Sequence, residues 1–159
     1  MMRLLYFRAI LLIALLAAAL PARGAEHADA LPDAALEASV REFLEAFINP
    51  EQTPEDQARF FLEGAEYYRH GPSSRQAISA DIRRYATRWP KRAYRLQHIE
   101  YLKPDPSSDA VFVSYVVKYD VANAKTRVRG RARYGAVITN VHSEPRIALI
   151  MERIQGRRR

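Results

Sequence analysis

The pattern of apolar and polar residues changes at Pro90. Before this residue, apolar side chains recur every three or four positions, which predicts amphipathic helices. After it, apolar and polar side chains alternate, which predicts strands with one buried and one exposed face. The chain is therefore predicted to form an α+β domain in which helices come first and an antiparallel sheet follows.

Two helices are predicted in the first part of the chain. The first carries an apolar face and ends at Asn49-Pro50. The second begins at Thr53, a predicted N-cap that is followed by a proline, and should extend through Phe61 to end at Gly64. The apolar face of the first helix consists of Leu36, Val40, Phe43, Leu44 and Phe47.

A short strand and a third helix are predicted next. The strand covers residues 65–70 and should place Tyr67 and Tyr68 on opposite faces. Ser73 and Gln76 have the spacing of a capping box, which predicts that the third helix begins at Ser73. The last residue of its apolar face, a tryptophan, should be the largest buried side chain beneath the sheet. This face consists of Ile78, Ile82, Tyr85 and Trp89.

Four strands are predicted after Pro90. The phase of alternation shifts near Gln97-His98, which indicates a β-bulge that bends the sheet. The strand over 126–139 alternates strictly between small or apolar residues and arginines, so its two faces are opposite in character. The small residues Gly130 and Ala132 should leave room beneath the sheet. The arginines on the outward face are Arg127, Arg129, Arg131 and Arg133.

The run Arg88-Trp89-Pro90-x-Arg92-x-Tyr94, together with this order of elements, resembles the nuclear transport factor 2-like superfamily. The resemblance implies three N-terminal helices packed on a strongly curved, mostly antiparallel sheet, with a cone-shaped cavity between them. It covers about residues 33–155. The superfamily contains isomerases, dehydratases and polyketide cyclases as well as members that only bind or dimerise, so the fold does not decide the activity.

The N-terminus has the features of a signal peptide. Arg3 and Arg8 flank a basic start, the run Ala9 to Leu20 is apolar, and Pro21 follows. This apolar run is shorter than the roughly 20 residues that a membrane-spanning helix needs, although an uncleaved anchor is the alternative. We predict a signal peptide at 1–25, one domain at 26–156 and a basic tail at 157–159. The mature protein should be periplasmic or secreted, with no membrane span.

Composition narrows the classes of partner and cofactor. The chain has no cysteine, which excludes disulfides and a lipid-modified cysteine. The formal net charge of +7 comes largely from arginines in the predicted signal peptide and the basic tail. The domain itself is thus close to neutral, and nucleic-acid binding is not expected. We expect no metal and no cofactor, because the sequence has no ligand spacing for a metal and no phosphate-binding loop.

Two classes of function remain open. The first is a non-catalytic envelope domain that binds a small apolar-aromatic ligand or an envelope protein, as a monomer or a homodimer. The second is a cofactor-independent isomerase or dehydratase that uses His70 or Asp81 with a tyrosine. No carboxylate is expected within an apolar strand face. The predicted ligand-pocket residues are Tyr67, Tyr85, Trp89, Tyr94, Tyr115 and Tyr134, and the four outward arginines are predicted to dock an acidic partner or anionic lipid.

Overall fold

The structure is a computed structural model that describes residues 34–153. The predicted signal peptide and the basic tail lie outside the described residues. Helices and strands occur in the predicted order, with the short strand β2 in addition. The helices are α1 (Ala34–Phe47), α2 (Pro54–Ala58) and α3 (Arg75–Arg88). The strands are β1 (Phe61–Tyr67), β2 (Pro72–Ser73), β3 (Lys91–Asp105), β4 (Ala110–Ala122), β5 (Arg127–Thr139) and β6 (Arg146–Arg153).

The strands of the described chain form one mixed sheet in the order β2-β1-β6-β5-β4-β3. Strands β3 to β6 form the predicted antiparallel meander, and β1 joins it by pairing in parallel with β6. The predicted bulge is present, because the register of β3 against β4 shifts between Leu96 and His98. A second shift follows between Ile99 and Tyr101. The α+β class and the mostly antiparallel sheet are therefore confirmed.

The boundary between α2 and β1 differs from the prediction. Helix α2 ends at Ala58, and Phe61 already lies in β1 with no exposed surface. Gly64 does not end a helix. It lies inside β1 at a φ of 75°, where the pairing with β6 is irregular. A glycine serves here because a bulge in a strand requires backbone conformations that other residues adopt only with strain.

Two predictions for α3 are also wrong. The N-cap is Ser74 rather than Ser73, because the Ser74 side chain accepts a hydrogen bond from the backbone N–H of Ala77. Trp89 is not the largest buried side chain: it is half-buried at the C-cap of α3, and the Arg88 guanidinium lies 5.4 Å from its ring centroid. The helix turns Ile78 fully into the core, whereas Tyr85 is 43% exposed.

Phe61 lies at the centre of the core between the helices and the sheet. Its ring meets those of Phe47 on α1 and Tyr67 at the end of β1 edge-on, each at a centroid distance of 5.5 Å. Leu44, Ile78 and Ile147 are fully buried around it. Residues from α1, α3 and both parallel strands thus belong to the same core as this side chain.

The space that Gly130 was expected to leave beneath the sheet is filled by Tyr119. These two residues are cross-strand partners in β4 and β5. A Cβ atom at position 130 would lie 2.6 Å from the Tyr119 Oη and 2.8 Å from its Cζ. The tyrosine ring therefore covers the glycine, and the prediction of open space at this position is wrong.

Replacing Gly130 by Ala should force the Tyr119 ring away and destabilise the fold by about 1–3 kcal/mol, as overpacking does. Urea unfolding would measure this change. Gly135 offers a matched control, because the nearest atom to a Cβ there is the flexible Met151 side chain at 3.3 Å. Truncating Tyr119 to Ser in the Gly130→Ala background should recover part of the loss. No recovery would show that the ring contact is not the cause.

Candidate functional site

The chain turns at Tyr68 so that two consecutive tyrosines face the inside of the sheet. Tyr68 has a φ of 50°, a left-handed conformation that is uncommon for a bulky residue. Its N–H donates a hydrogen bond to the Ile150 carbonyl at 2.9 Å, and its ring packs 4.5 Å from that of Tyr67. The prediction that Tyr67 and Tyr68 lie on opposite faces is therefore wrong. Strain of this kind persists where the surrounding packing enforces it.

The inward turn brings Tyr68 to two further tyrosines. Tyr115 and Tyr134 are cross-strand partners in β4 and β5, and their rings stack at 5.5 Å. Burial raises the pKa values of the Tyr68, Tyr115 and Tyr134 phenols well above the usual value for tyrosine. The neighbouring Tyr134 adds to the rise for Tyr68. The three hydroxyls consequently stay protonated and can donate hydrogen bonds.

Glu152 is the carboxylate that completes this group, and sequence analysis missed it. It lies opposite Tyr134 in the pairing of β5 with β6. Although the residue keeps an exposed side, partial burial of its carboxyl raises its pKa, and a side-chain hydrogen bond with Tyr134 partly offsets the rise. A signal for this position was available in the sequence. Alternate residues of a strand share a face, and Glu152 comes two residues after Ile150, which is fully buried. The expectation that no carboxylate occupies an inward strand face is wrong.

Tyr85 and Tyr94 extend the group toward the edge strand β3. Burial raises the pKa of the Tyr94 phenol, and the neighbouring Tyr85 phenol adds to the rise. Both residues also act on the pKa of Tyr134, which places them near it. We call these residues the tyrosine–Glu152 cluster. Its members are Tyr68, Tyr85, Tyr94, Tyr115, Tyr134 and Glu152.

The two residues predicted as catalytic, His70 and Asp81, both contact Tyr67 but differ in their partners. Asp81 accepts a hydrogen bond from the Tyr67 hydroxyl at 3.1 Å and pairs with Arg84 at 2.8 Å. His70 is exposed, and its ring stacks on Tyr67 at a centroid distance of 6.0 Å. Asp81 therefore has structural partners already, and His70 is not the buried base that proton abstraction next to a pocket tyrosine requires.

The cavities on the described surface include two beside the helices. One, of about 320 Å³, lies between the end of α1 and β3, and it reaches the tyrosine–Glu152 cluster at Tyr94. It also contacts Ile48 and Leu96, which give it apolar walls. The other, of about 400 Å³, lies between α2 and α3 and is lined by Glu55, Ser79 and several arginines. Of the six predicted ligand-pocket residues, Tyr94 lines the first cavity; Tyr67, Tyr85, Trp89, Tyr115 and Tyr134 do not.

The outward arginines of β5 divide into paired and unpaired side chains. Arg127 and Arg129 both bond to Asp120, at 2.5 and 2.9 Å, and these contacts lower the pKa of that carboxyl to about 2. Arg133 pairs with Glu100. Arg131 lies opposite Lys118 and forms no ion pair with a described residue. The sequence predicted the outward face correctly, but not this division.

Metal-binding and membrane-spanning features are missing from the described part of the chain. Within residues 34–153, acidic, histidine and cysteine side chains form no group that could hold a metal ion. Over the same residues, every helix is too short or too polar to cross a membrane.

No family model matches this chain, and no curated protein does either. Solved structures do match. Aln2 from a Streptomyces species has 18% identity and a TM-score of 0.67 over 77% of this chain and 92% of that chain. A putative scytalone dehydratase from Novosphingobium aromaticivorans has 18% identity and a TM-score of 0.57, over 75% of this chain and 80% of that one.

A third match identifies the fold. It is a nuclear transport factor 2-like protein with a cystatin-like fold from Novosphingobium aromaticivorans, at 14% identity and a TM-score of 0.59, covering 76% of this chain and 83% of that chain. Similarity at this level of identity establishes the fold. With two helices before β1, a third before β3 and a mixed, largely antiparallel sheet, this chain has the nuclear transport factor 2-like fold.

Proposed function

We propose that this protein is a non-catalytic, exported domain that binds a small aromatic ligand carrying a hydroxyl group. The observation that supports this most is the position of Glu152 among protonated phenols. A carboxylate there accepts a hydrogen bond from a ligand hydroxyl, and the surrounding tyrosine rings provide apolar contact. The cavity of about 320 Å³ borders the cluster at Tyr94.

The arrangement of the two predicted bases supports a binding role over an enzymatic one. His70 is exposed, and Asp81 is held by Tyr67 and Arg84. Tyr115 and Tyr134 stack on each other on the inward face, where their rings can contact an aromatic ligand. The N-terminal apolar run supports export to the periplasm or beyond. A cofactor is not part of this proposal.

A cofactor-independent isomerase or dehydratase is the second candidate, and the pKa of Glu152 favours it. A carboxyl whose pKa is raised by burial is a stronger base once ionised and can remove a proton next to a carbonyl group. A neighbouring phenol would donate a hydrogen bond to the developing oxyanion. This candidate assigns the base to Glu152 rather than to His70 or Asp81.

Binding of 2-naphthol tests the proposed ligand class, with naphthalene as the matched molecule that lacks the hydroxyl. Because a hydrogen bond to a charged acceptor contributes about 1.5–3 kcal/mol, we expect 2-naphthol to bind roughly 10- to 100-fold more tightly. Glu152→Gln should remove most of this difference. Quenching of naphthol fluorescence, followed by calorimetry, measures both affinities.

Glu66→Gln is the control for the naphthol experiment, because it removes the same charge from an exposed position of β1. It should leave both affinities unchanged. Equal binding of naphthol and naphthalene by the unmodified protein would refute the role of Glu152 as hydrogen-bond acceptor.

The enzymatic candidate is tested separately with 2-tetralone, an enolisable ketone of the same two-ring size. Proton abstraction by Glu152 would exchange its α-hydrogens for deuterium in D₂O, which NMR detects. Exchange that is faster with the protein than without it, and that Glu152→Gln abolishes, would replace the binding role with a catalytic one. The binding proposal expects no acceleration.

A further inference from the structure

A row of three cations crosses the outward face of the sheet. The register places Arg95, Lys118 and Arg131 side by side on β3, β4 and β5. Neighbouring strands are about 4.8 Å apart, so these side chains are close enough to repel one another. All three are exposed, and none forms an ion pair with any residue between 34 and 152. We call this set the basic row.

The neighbouring positions add to this positive charge. Lys91, Arg127 and Arg129 lie on the same face, next to the basic row along β3 and β5. In this part of the face Asp120 is the carboxylate that faces them, and it is shared between Arg127 and Arg129. Like charges placed opposite each other destabilise a sheet, so the basic row has a cost that an anionic partner would offset.

The same face carries exposed apolar side chains at the opposite end of the strands. Tyr101, Phe112 and Met151 are 48%, 39% and 49% exposed. The Tyr101 and Phe112 rings lie 5.9 Å apart, and Phe112 and Met151 meet over Gly135. These three side chains are exposed on the surface of the sheet. An extended partner with a charged and an apolar layer therefore fits this face better than a small anion does.

We propose that the outward sheet face docks on the surface of an anionic phospholipid bilayer. The basic row would contact the headgroups, and Tyr101, Phe112 and Met151 would reach the apolar boundary beneath them. The predicted export of the protein is consistent with this partner. A second copy of this chain fits less well, because a symmetric contact centred on the basic row would oppose cations with cations.

Sedimentation with lipid vesicles tests this proposal. The full-length mature protein is mixed with vesicles of phosphatidylcholine alone, or of phosphatidylcholine with phosphatidylglycerol, at low and at high salt. Binding should require phosphatidylglycerol and weaken at high salt. The double variant Lys118→Gln/Arg131→Gln should bind roughly 30-fold more weakly, because each basic group near an anionic surface contributes about fivefold.

The control removes the same charge from another part of the surface. Arg69 and Arg84 are exposed, on the turn after β1 and on α3, so Arg69→Gln/Arg84→Gln should bind vesicles like the unmodified protein. The Lys118→Gln/Arg131→Gln variant should melt at the same temperature as the unmodified protein or higher, because it relieves repulsion.

Three outcomes would overturn the proposal. Equal weakening in both double variants would assign the binding to net charge alone. Tighter association with a single-stranded oligonucleotide than with anionic vesicles would assign the face to nucleic acid. Self-association without lipid that the Lys118→Gln/Arg131→Gln variant abolishes would assign it to a second copy of the chain. The naphthol experiment concerns the inward face, so its result is independent of the outcomes of the vesicle experiments.

Discussion

Replacing Phe61 by Ala should destabilise this protein by about 3–5 kcal/mol, enough to unfold a domain of ordinary stability. Phe61 has no exposed surface, and its ring contacts Phe47 and Tyr67 edge-on. Its removal would leave a cavity between α1, α3 and the parallel strands that these elements cannot readily close. Urea unfolding measures the loss as a lower midpoint with an unchanged slope.

Alanine substitutions of Phe112 and Trp89 are the reference variants for Phe61→Ala. Phe112 is the same residue type at a position 39% exposed, so Phe112→Ala should cost less than about 1 kcal/mol. Trp89 is half-buried beside Arg88, and Trp89→Ala should cost about 1–2 kcal/mol. If Trp89→Ala proved more damaging than Phe61→Ala, the assignment of the core would be wrong.

The second large effect is expected at Arg92, which connects the ends of two helices to β3. Its guanidinium donates hydrogen bonds to the carbonyls of Ala86 and Trp89 near the end of α3, and to the carbonyl of Pro50 after α1. Carbonyls at helix C-termini lack partners within the helix, and a cation there also complements the helix dipole. Arg92 thus links the end of α3 to the start of β3 within the Arg-Trp-Pro-x-Arg run.

Arg92→Met should destabilise the protein by about 2–4 kcal/mol, because it leaves partly buried carbonyls without donors. Arg92→Lys keeps the charge but not the forked geometry, so it should recover only part of the loss. Arg95→Met is the matched control: Arg95 is exposed on the same strand, and its loss should change stability by less than about 0.5 kcal/mol. Thermal and urea unfolding of these three variants would rank their stabilities. Equal stability of Arg92→Met and Arg95→Met would contradict the bridging role.

The elements with strong local signals could be predicted from the sequence. Strict alternation over 126–139 gave the two faces of β5, since a shift by one residue would bury the arginines. The change of phase at Gln97-His98 gave the bulge in β3. Each of these signals lies within a few neighbouring residues and does not depend on how distant parts of the chain meet.

The start of β1 was not predictable in the same way. Phe61 continues the helical spacing of α2, but pairing with β6 draws it into the sheet, as the hydrogen bond from the Ile147 N–H to the Phe60 carbonyl shows. The partner strand comes more than 80 residues later in the chain. Tertiary pairing of this kind overrides local helix preference.

The sequence by itself determined the order of helices and strands, the outward arginines and the tyrosine-rich inner face of this protein. The tertiary structure decided how these residues form a site. The left-handed backbone at Tyr68 turns that phenol inward, and the register of β6 brings Glu152 to Tyr134. The first depends on contact between β1 and β6, which are far apart in the chain, and the second on the register between the consecutive strands β5 and β6. Partial burial of the Glu152 carboxyl then raises its pKa. Hydrophobic periodicity records which face a residue prefers, but not which distant residue it will meet there.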